Sequence, residues 1–398
     1  MFEVSNNFLF KIALDCLQGY NFLEPFAIYL KKYFRANPKL GSRDRKNIRQ
    51  LCYAWFRLGN AGNEYADVKR MAIALFLSYQ QIDGFSERIF KDENLLSSLA
   101  LHPKSKLDLL MQLYSVKIDL TEIFPLIDLI ESELPLDDFI ADGFLRRNLW
   151  IRINKKFESQ TLAFFESNKL EFKIHSSSNL SVQLPDDFDV MSSEPFINGW
   201  IEIQDLSSQL LGSHYTPQSN EKWLDACAAS GGKSLQLLDN EPKIDLTVTD
   251  IRESILTNLQ LRFKRNHIAN YRSKVVDWAG ANNHACQSEL ESFDAIIADV
   301  PCSGSGTWAR TPEQKSSMTR EKLKQYTDLQ YKISSNLLAA LNQGGVLYYS
   351  TCSVYRNENT DVINKLINNH CLDLIEQKII SGIGTNADTM YFAKLIKR

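Results

Sequence analysis

Lys222-Trp223-Leu224-Asp225-Ala226-Cys227-Ala228-Ala229-Ser230-Gly231-Gly232-Lys233-Ser234-Leu235 decides the fold. Its opening reads as a strand ending near Ala226. Its small-residue turn opens a helix whose first N–H groups have no partner within the helix. Beyond it, strand and helix alternate. Strands are expected at 245–250, 274–276, 293–298 and 345–349, and a helix at 252–266 with Leu256, Leu259 and Phe263 turned inward. A helix over 319–341 and another opened by Asn357-Glu358-Asn359 follow, and the chain closes with a hairpin of 372–378 and 388–396. This alternation predicts a Rossmann-like, doubly wound α/β sheet. Such a sheet carries its ligand and catalytic groups at the carboxyl ends of its strands.

The first turn is not a phosphate cradle. A Walker A loop needs a glycine five residues before Gly232, where this chain has Cys227, and no G-x-G-x-x-G is present. What remains suits a ligand without phosphates, with a carboxylate such as that of a methionine moiety at the helix N-terminus. Asp250 ends the next strand, where an acid accepts hydrogen bonds from ribose hydroxyls. Ile251 beside it is placed to cover an adenine face. Asp277 is open to two readings: an acceptor for an adenine amino group, or an ordinary acid of a surface loop.

Two later strands each deliver a cysteine just past their ends, in Ala298-Asp299-Val300-Pro301-Cys302-Ser303-Gly304 and in Ser350-Thr351-Cys352-Ser353. A lone cysteine is most often a small buried hydrophobe. Two of them at strand ends, one with Asp299 three residues upstream, point to thiolate chemistry instead.

The first 140 residues read as helical, with apolar spacing at Phe10, Ala13, Leu14 and Leu17 and at Phe26, Tyr29, Leu30 and Tyr33. Further helices are expected from 42 or 44, capped by Ser42 or Asp44 and with Ile48, Leu51, Cys52 and Trp55 on one face, and at 67–79, 92–101, 103–116 and 120–131. Between Lys31 and Arg49 stand eight basic residues against one acid, Asp44. Arg43, Arg45 and Lys46 among them fit a nucleic-acid footprint as well as they fit a solvated helix face. An acidic stretch with Pro125 and Pro135 reads as a linker. Past it, strands at 172–174, 180–184 and 200–203 and a helix at 158–168 make a small α+β module. Its basic residues, Arg147, Arg152 and Lys155 with Trp150 between, fit phosphate and base contacts as well as they fit a surface strand with ordinary charges.

The chain has 398 residues, 44% of them hydrophobic and 23% charged, as in ordinary globular proteins. No apolar run is long enough to span a bilayer, and the N-terminus lacks the pattern of a signal peptide. Seven cysteines without CxxC spacing, Cys286 among them, argue against a disulfide framework and a zinc site. A reducing, cytoplasmic setting is expected. The net charge of −3 does not announce a polyanion partner.

These residues together resemble the RNA cytosine-5 methyltransferases of the Nol/Nop/Sun group, in particular the bacterial rRNA methyltransferases of the Sun type. The family loop D-x-C-A-A-P-G-G-K-T is here Asp225 to Ser234, its acids fall at Asp250 and Asp277, and its D-A-P-C-S-G is Asp299 to Gly304. Its T-C-S with a following Asn-Glu is Thr351-Cys352-Ser353 and Glu358. Residues 203–209 match the segment before the methyltransferase domain. The chain departs from the pattern at Ser230, where proline is usual, and at Thr389 and Met390.

The resemblance implies three domains: a helical NusB-like RNA-binding domain (1–140), a small α+β RNA-binding module (141–215) and an S-adenosylmethionine-dependent methyltransferase domain (216–398). It implies methylation at C5 of a cytosine in RNA, 16S rRNA in the first instance, by a cytoplasmic monomer with no metal. Cys352 is implied as the thiol that adds to C6, Cys302 as the group assisting release of the C5 proton, Asp299 as a partner of the base and Lys233 as an active-site cation. The cofactor is assigned to Cys227, Ala228, Ala229, Ser230, Gly231, Gly232, Lys233, Asp250, Ile251, Asp277 and Asp299, and RNA to the basic residues above with Arg310. By the residues alone either thiol can attack, since DNA cytosine-5 methyltransferases use the one in their Pro-Cys. Two alternatives stand beside this reading: a tRNA methyltransferase sharing the chemistry, and an inactive RNA-binding assembly factor.

Overall fold

The computed structural model describes residues 8–280 and 292–398; Cys286 lies outside them. Residue contacts divide the chain into two units, Met1–Arg147 with Thr307–Arg320, and Asn148–Gly306 with Glu321–Arg398. The first of these units ends at 147 and also takes in fourteen residues of the loop past Cys302, and the second holds the α+β module together with the larger sheet.

The first unit is built of helices, the longer ones at Phe8–Gln18, Phe26–Ala36, Ser42–Arg57, Asp67–Ser78 and Pro103–Tyr114. Phe10, Ile48, Leu51, Cys52, Met71, Phe76 and Leu110 are buried in it, as the 3.6-residue spacing requires. Ser42 is the first residue of its helix, and neither Ser42 nor Asp44 caps it; the cap position is Gly41, which offers no side chain. Two expected helices are shorter than their patterns. That at 92–101 is only Glu93–Ser97. That at 120–131 stops at Ile123, because Phe124 precedes Pro125 and is driven to an extended conformation (φ −123°, ψ 124°). Inside the same unit, Trp308 stacks at a tilt on Phe124 with ring centroids 5.0 Å apart. Arg57 donates to the Ala309 carbonyl (3.1 Å), and Lys315 to the Arg57 carbonyl (3.0 Å).

Lys106 is fully buried and donates to the carbonyls of Phe76 (2.9 Å) and Tyr79 (2.8 Å), which the end of the helix Asp67–Ser78 leaves without intrahelical partners. Burial pushes its ammonium down to about 7. Burial, with Arg57 and Arg147 nearby, does the same to Lys315.

The second unit holds two sheets. Strands β1 (Leu149–Ile153), β2 (Lys173–His175), β3 (Ser178–Leu184) and β4 (Ile201–Ile203) form an antiparallel sheet in the order β2-β3-β1-β4. Ile151, Ile153, Val182 and Ile201 bury one face of it with Phe165 of the helix Glu158–Ser167. The larger sheet comprises β5 (Lys222–Asp225), β6 (Asp245–Asp250), β7 (Arg272–Val275), β8 (Phe293–Asp299), β9 (Leu341–Thr351), β10 (Leu372–Ile380) and β11 (Met390–Lys397). Its order is β10-β11-β9-β8-β5-β6-β7. The five strands β7, β6, β5, β8 and β9 run parallel, and β11 is antiparallel to both β9 and β10, so the sheet is mixed. Read from β5, the parallel part has the Rossmann order 3-2-1-4-5. The helices at Gly232–Asn240, Glu253–Arg265, Arg320–Leu337 and Thr360–Asn369 follow the expected positions. Among the described residues no helix is long and apolar enough to cross a membrane.

Lys106 gives a test of the helical unit. Its proton leaves near pH 7 in the folded chain and at about 10.4 in the unfolded one. Between those values the unfolded chain binds more protons, so stability rises with pH. Calorimetric melting should move to higher temperature from pH 7 to pH 8.5. That rise should be smaller in Lys106→Met, which keeps only the share due to Lys315; an equal rise in both proteins would deny the titration.

Candidate active site

Every expected group at the carboxyl ends of β5, β8 and β9 lies in the second unit. The turn after β5 is shaped by backbone. Gly231 takes φ +82° and forms the N-cap of the helix Gly232–Asn240. A Cβ there would sit 2.6 Å from the Phe263 ring and 2.9 Å from Leu259 Cγ, so only glycine fits. Ser230, which stands where the family pattern has proline, accepts from Arg262 through Oγ (3.0 Å). That contact supplies part of the restraint a proline ring would give.

The turn borders a cleft of about 190 Å³ lined by Cys227, Ala228, Ala229, Ser230, Gly232, Lys233 and Asp299, together with Ile203, Gln204, Ser208, Asp225 and Arg262. The last five were not assigned from sequence, although Gln204 and Ser208 lie in the segment that matches the family. Gln204 is fixed from several sides: it accepts from Arg152 Nε (3.0 Å) and donates to Gln236 Oε1 (3.0 Å) and Ser208 Oγ (3.2 Å). Asp225 is fully buried and takes a 2.6 Å bond from Ser234 Oγ on Oδ2, while Oδ1 has no partner. Burial lifts its carboxyl to about 7 against the pull of Ser234 and Lys233. An unpaired acceptor in a cleft wall suits an amino group of a ligand.

Asp250, Ile251 and Asp277 are not part of that lining. Asp250 is buried and accepts from Ala229 N (3.1 Å) and from Arg252 through N (2.9 Å), Nε (2.9 Å) and Nη2 (3.1 Å). Burial opposes its ionisation, but these donors outweigh it and its pKa is lowered. Ile251 is 58% exposed beside it. Asp277 is exposed and accepts from Ala279 N (2.9 Å).

The two thiols meet. Cys302 Sγ and Cys352 Sγ are 3.2 Å apart and share a hydrogen bond. Register explains it: Asp299 of β8 pairs with Ser350 of β9, and each cysteine follows within three residues. Asp299 takes a 2.5 Å bond from Lys233 Nζ and a 2.9 Å bond from Ser350 Oγ. Burial pulls the Lys233 ammonium down, and Asp299, Asp225 and Cys352 more than offset it, leaving its pKa raised. The Cys302 thiol is pushed well up, first by its bond to Cys352, then by burial, and also by Glu358. Cys227 is raised by burial and the surrounding carboxylates, and so is a thiol of the cleft wall.

The basic residues divide. Arg43, Lys46, Lys155 and Arg310 are exposed, and Arg45 is half-buried, donating to the Leu40 carbonyl (2.9 Å). Arg147 and Arg152 correct the expectation of RNA contacts. Arg147 is 7% exposed and bonds the Asp142 carbonyl (3.3 Å). Arg152 is 4% exposed and is paired with Asp239 and Gln204. Both side chains are almost wholly buried, which leaves little surface for a phosphate to reach.

A Rossmann-like sheet with a glycine turn unsuited to phosphates, and with two thiols beside a lysine–aspartate pair, fits one class: an S-adenosylmethionine-dependent methyltransferase domain. Residues 213–396 match the family described as 16S rRNA methyltransferase RsmB/F. Its cofactor is S-adenosylmethionine, and the turn, the cleft and the unpaired Asp225 oxygen fit that molecule.

The ribosomal RNA small subunit methyltransferase B of Shewanella oneidensis is 32% identical over 65% of this chain and 63% of its own. That of Yersinia enterocolitica is 30% identical over 63% and 60%. The chain thus spans about three fifths of the curated relatives it matches. Among solved structures, PH0851 has a TM-score of 0.70 at 18% identity, covering 99% of this chain and 100% of that one. A methyltransferase homologue from Pyrococcus horikoshii has a TM-score of 0.60 at 22% identity, covering 74% and 99%. At these identities the two structures speak to fold.

Gly231→Ala should destabilise the domain by on the order of 2 kcal/mol, from the left-handed backbone and the crowding at Phe263. It should also weaken S-adenosylhomocysteine binding about tenfold or more, measured by isothermal titration. Unchanged binding would remove this turn from the cofactor site.

Proposed function

We propose that this chain transfers the methyl group of S-adenosylmethionine to C5 of a cytosine in RNA, with 16S rRNA as the substrate, through a covalent bond between Cys352 and C6. The observation that carries the reading is the pair of thiols 3.2 Å apart at the ends of β8 and β9, beside the Lys233–Asp299 pair.

S-adenosylmethionine, when bound, supplies an electrophilic methyl group. Cytosine C5 is too weak a nucleophile to take it unaided. Addition of the Cys352 thiolate to C6 forms an S–C6 bond and moves electron density to C5. The Lys233 ammonium favours negative charge at Cys352. Asp299 faces the N3 edge of the base, held by Lys233 and Ser350. Once C5 carries the methyl group its proton must leave to a base, and Cys302 takes that part as its thiolate. The electron pair then restores the C5–C6 double bond, and Cys352 departs as thiolate.

A base can enter only when unstacked, so single-stranded or loop RNA is the substrate form. The helical unit, which we read as NusB-like, offers Arg43 and Lys46 to phosphates. The α+β module offers Lys155, and Arg310 is a further candidate.

Cys352→Ala should abolish methyl transfer and form no adduct, whereas Cys302→Ala should accumulate a protein–RNA adduct stable in denaturing gels. An adduct with Cys352→Ala would reverse the roles. Bisulfite sequencing of 16S rRNA from a deletion strain and its parent tests the substrate: one cytosine should lose its methyl group. A loss in tRNA instead would transfer the reading to tRNA, and no loss in either would end it.

A further inference from the structure

One buried carboxylate joins the two cysteine loops. Glu358 has no exposed surface. Its Oε1 accepts from the Ser303 amide (2.8 Å) and Gln330 Nε2 (2.8 Å). Its Oε2 accepts from Ser303 Oγ (2.5 Å) and from Ser353 Oγ. Ser303 follows Cys302 and Ser353 follows Cys352. The same side chain therefore grips the residue next to each thiol.

We propose that Glu358 is a positioning residue, whose carboxylate ties Ser303 to Ser353 and so fixes the separation of the two thiols and the proton they share. The proposal rests on the cytosine-5 methyltransferase reading and names a further residue that its site requires.

Three observations favour this over a packing role. First, the tie is redundant. Ser303 Oγ and Ser353 Oγ also lie 3.2 Å apart, and Ser305 Oγ is 3.0 Å from Ser353 Oγ, so the loops are fastened by a closed network. Second, the glutamate is itself held. Its backbone carbonyl accepts from Tyr349 Oη (2.5 Å), its amide donates to the Tyr355 carbonyl (3.0 Å), and Gln330 also reaches the Pro301 carbonyl (2.9 Å). Third, all four donors to the carboxylate are uncharged, so its field is not cancelled by a cation. That field acts on Cys302, helping to hold the proton there. A hydrophobic pair of the same volume would pack as well and at lower cost; it would not order two loops or bias a proton.

Glu358→Gln keeps the volume and removes the charge, and the double variant Ser303→Ala, Ser353→Ala keeps the charge and cuts the tie. In Glu358→Gln, melting temperature and S-adenosylhomocysteine affinity should stay near wild type; the double variant leaves Glu358 Oε2 without its two hydroxyl donors, so its melting temperature should fall while S-adenosylhomocysteine affinity holds. The kcat for methyl transfer to RNA should fall about 10²-fold with little change in KM, as expected for misplacement of reacting groups. Iodoacetamide alkylation of Cys302, followed by mass spectrometry as a function of pH, should shift to lower pH in Glu358→Gln. An unshifted alkylation profile overturns the proposal. So does a loss of kcat matched by equal losses of stability and cofactor binding, which would mean a folding role alone. If the wild-type protein methylates no RNA, a shifted profile still supports the tie while the functional reading falls.

Discussion

The parallel pairing of β8 with β9 is the constraint from which the site follows. The register sets Ala298 against Tyr349 and Asp299 against Ser350. The Val300 amide extends the ladder by one bond to the Ser350 carbonyl (3.1 Å) before the chains part. From there each loop has only a few residues in which to diverge, so two cysteines 50 residues apart arrive in contact. Gly306 closes the first loop by donating to the Cys352 carbonyl (2.9 Å) and accepting from the Thr389 amide (3.0 Å). A Cβ at Gly306 would collide with the Thr389 carbonyl. The antiparallel strand β11 thus contributes to the thiol site through its approach, although it brings no reacting group.

Much of this was legible because buried parallel strands announce themselves. The cores of β5, β6, β8 and β9 are apolar runs that end in an acid or a thiol, and a ligand-facing end is the one place such residues are tolerated. The limits of the strands were harder to read. Leu341–Thr351 is one strand, yet Asn342-Gln343-Gly344-Gly345 reads as a turn. Gly344 does take φ +75°, and the pairing slips between Phe293 and Ala295, so a turn-like kink sits inside the strand. In the helical unit, apolar spacing alone could not reveal that Pro125 wins over the pattern that runs through it.

Charge was the least legible property, because a sequence gives the sign of a residue and not its depth. Arg152 alternates with Ile151 and Ile153, which places it on the opposite face of β1 from the module's own core. An antiparallel sheet commonly leaves that face in water. Here it is covered, and Asp239 and Gln204 occupy the guanidinium. The residue expected to meet RNA instead holds Gln204 in the wall of the cleft beside β5. Glu358 errs in the other direction: placed beside Asn357 and Asn359 it reads as the polar start of a helix, and it is as deeply buried as the core.

These buried charges give the thiol pair its asymmetry. Two cysteines in contact share one proton more readily than they hold two anions, since like charges so close repel strongly in a medium of low dielectric. What surrounds each sulfur then decides where the proton rests. Lys233 lies on the Asp299 side, and its ammonium is stabilised by Asp299, Asp225 and Cys352. Glu358 bonds Ser303 and Ser353 alike, and its charge disfavours ionisation of Cys302. The charges that act on the thiol pair come from one lysine in the turn after β5 and one glutamate before the helix Thr360–Asn369, and the sheet register alone would supply neither.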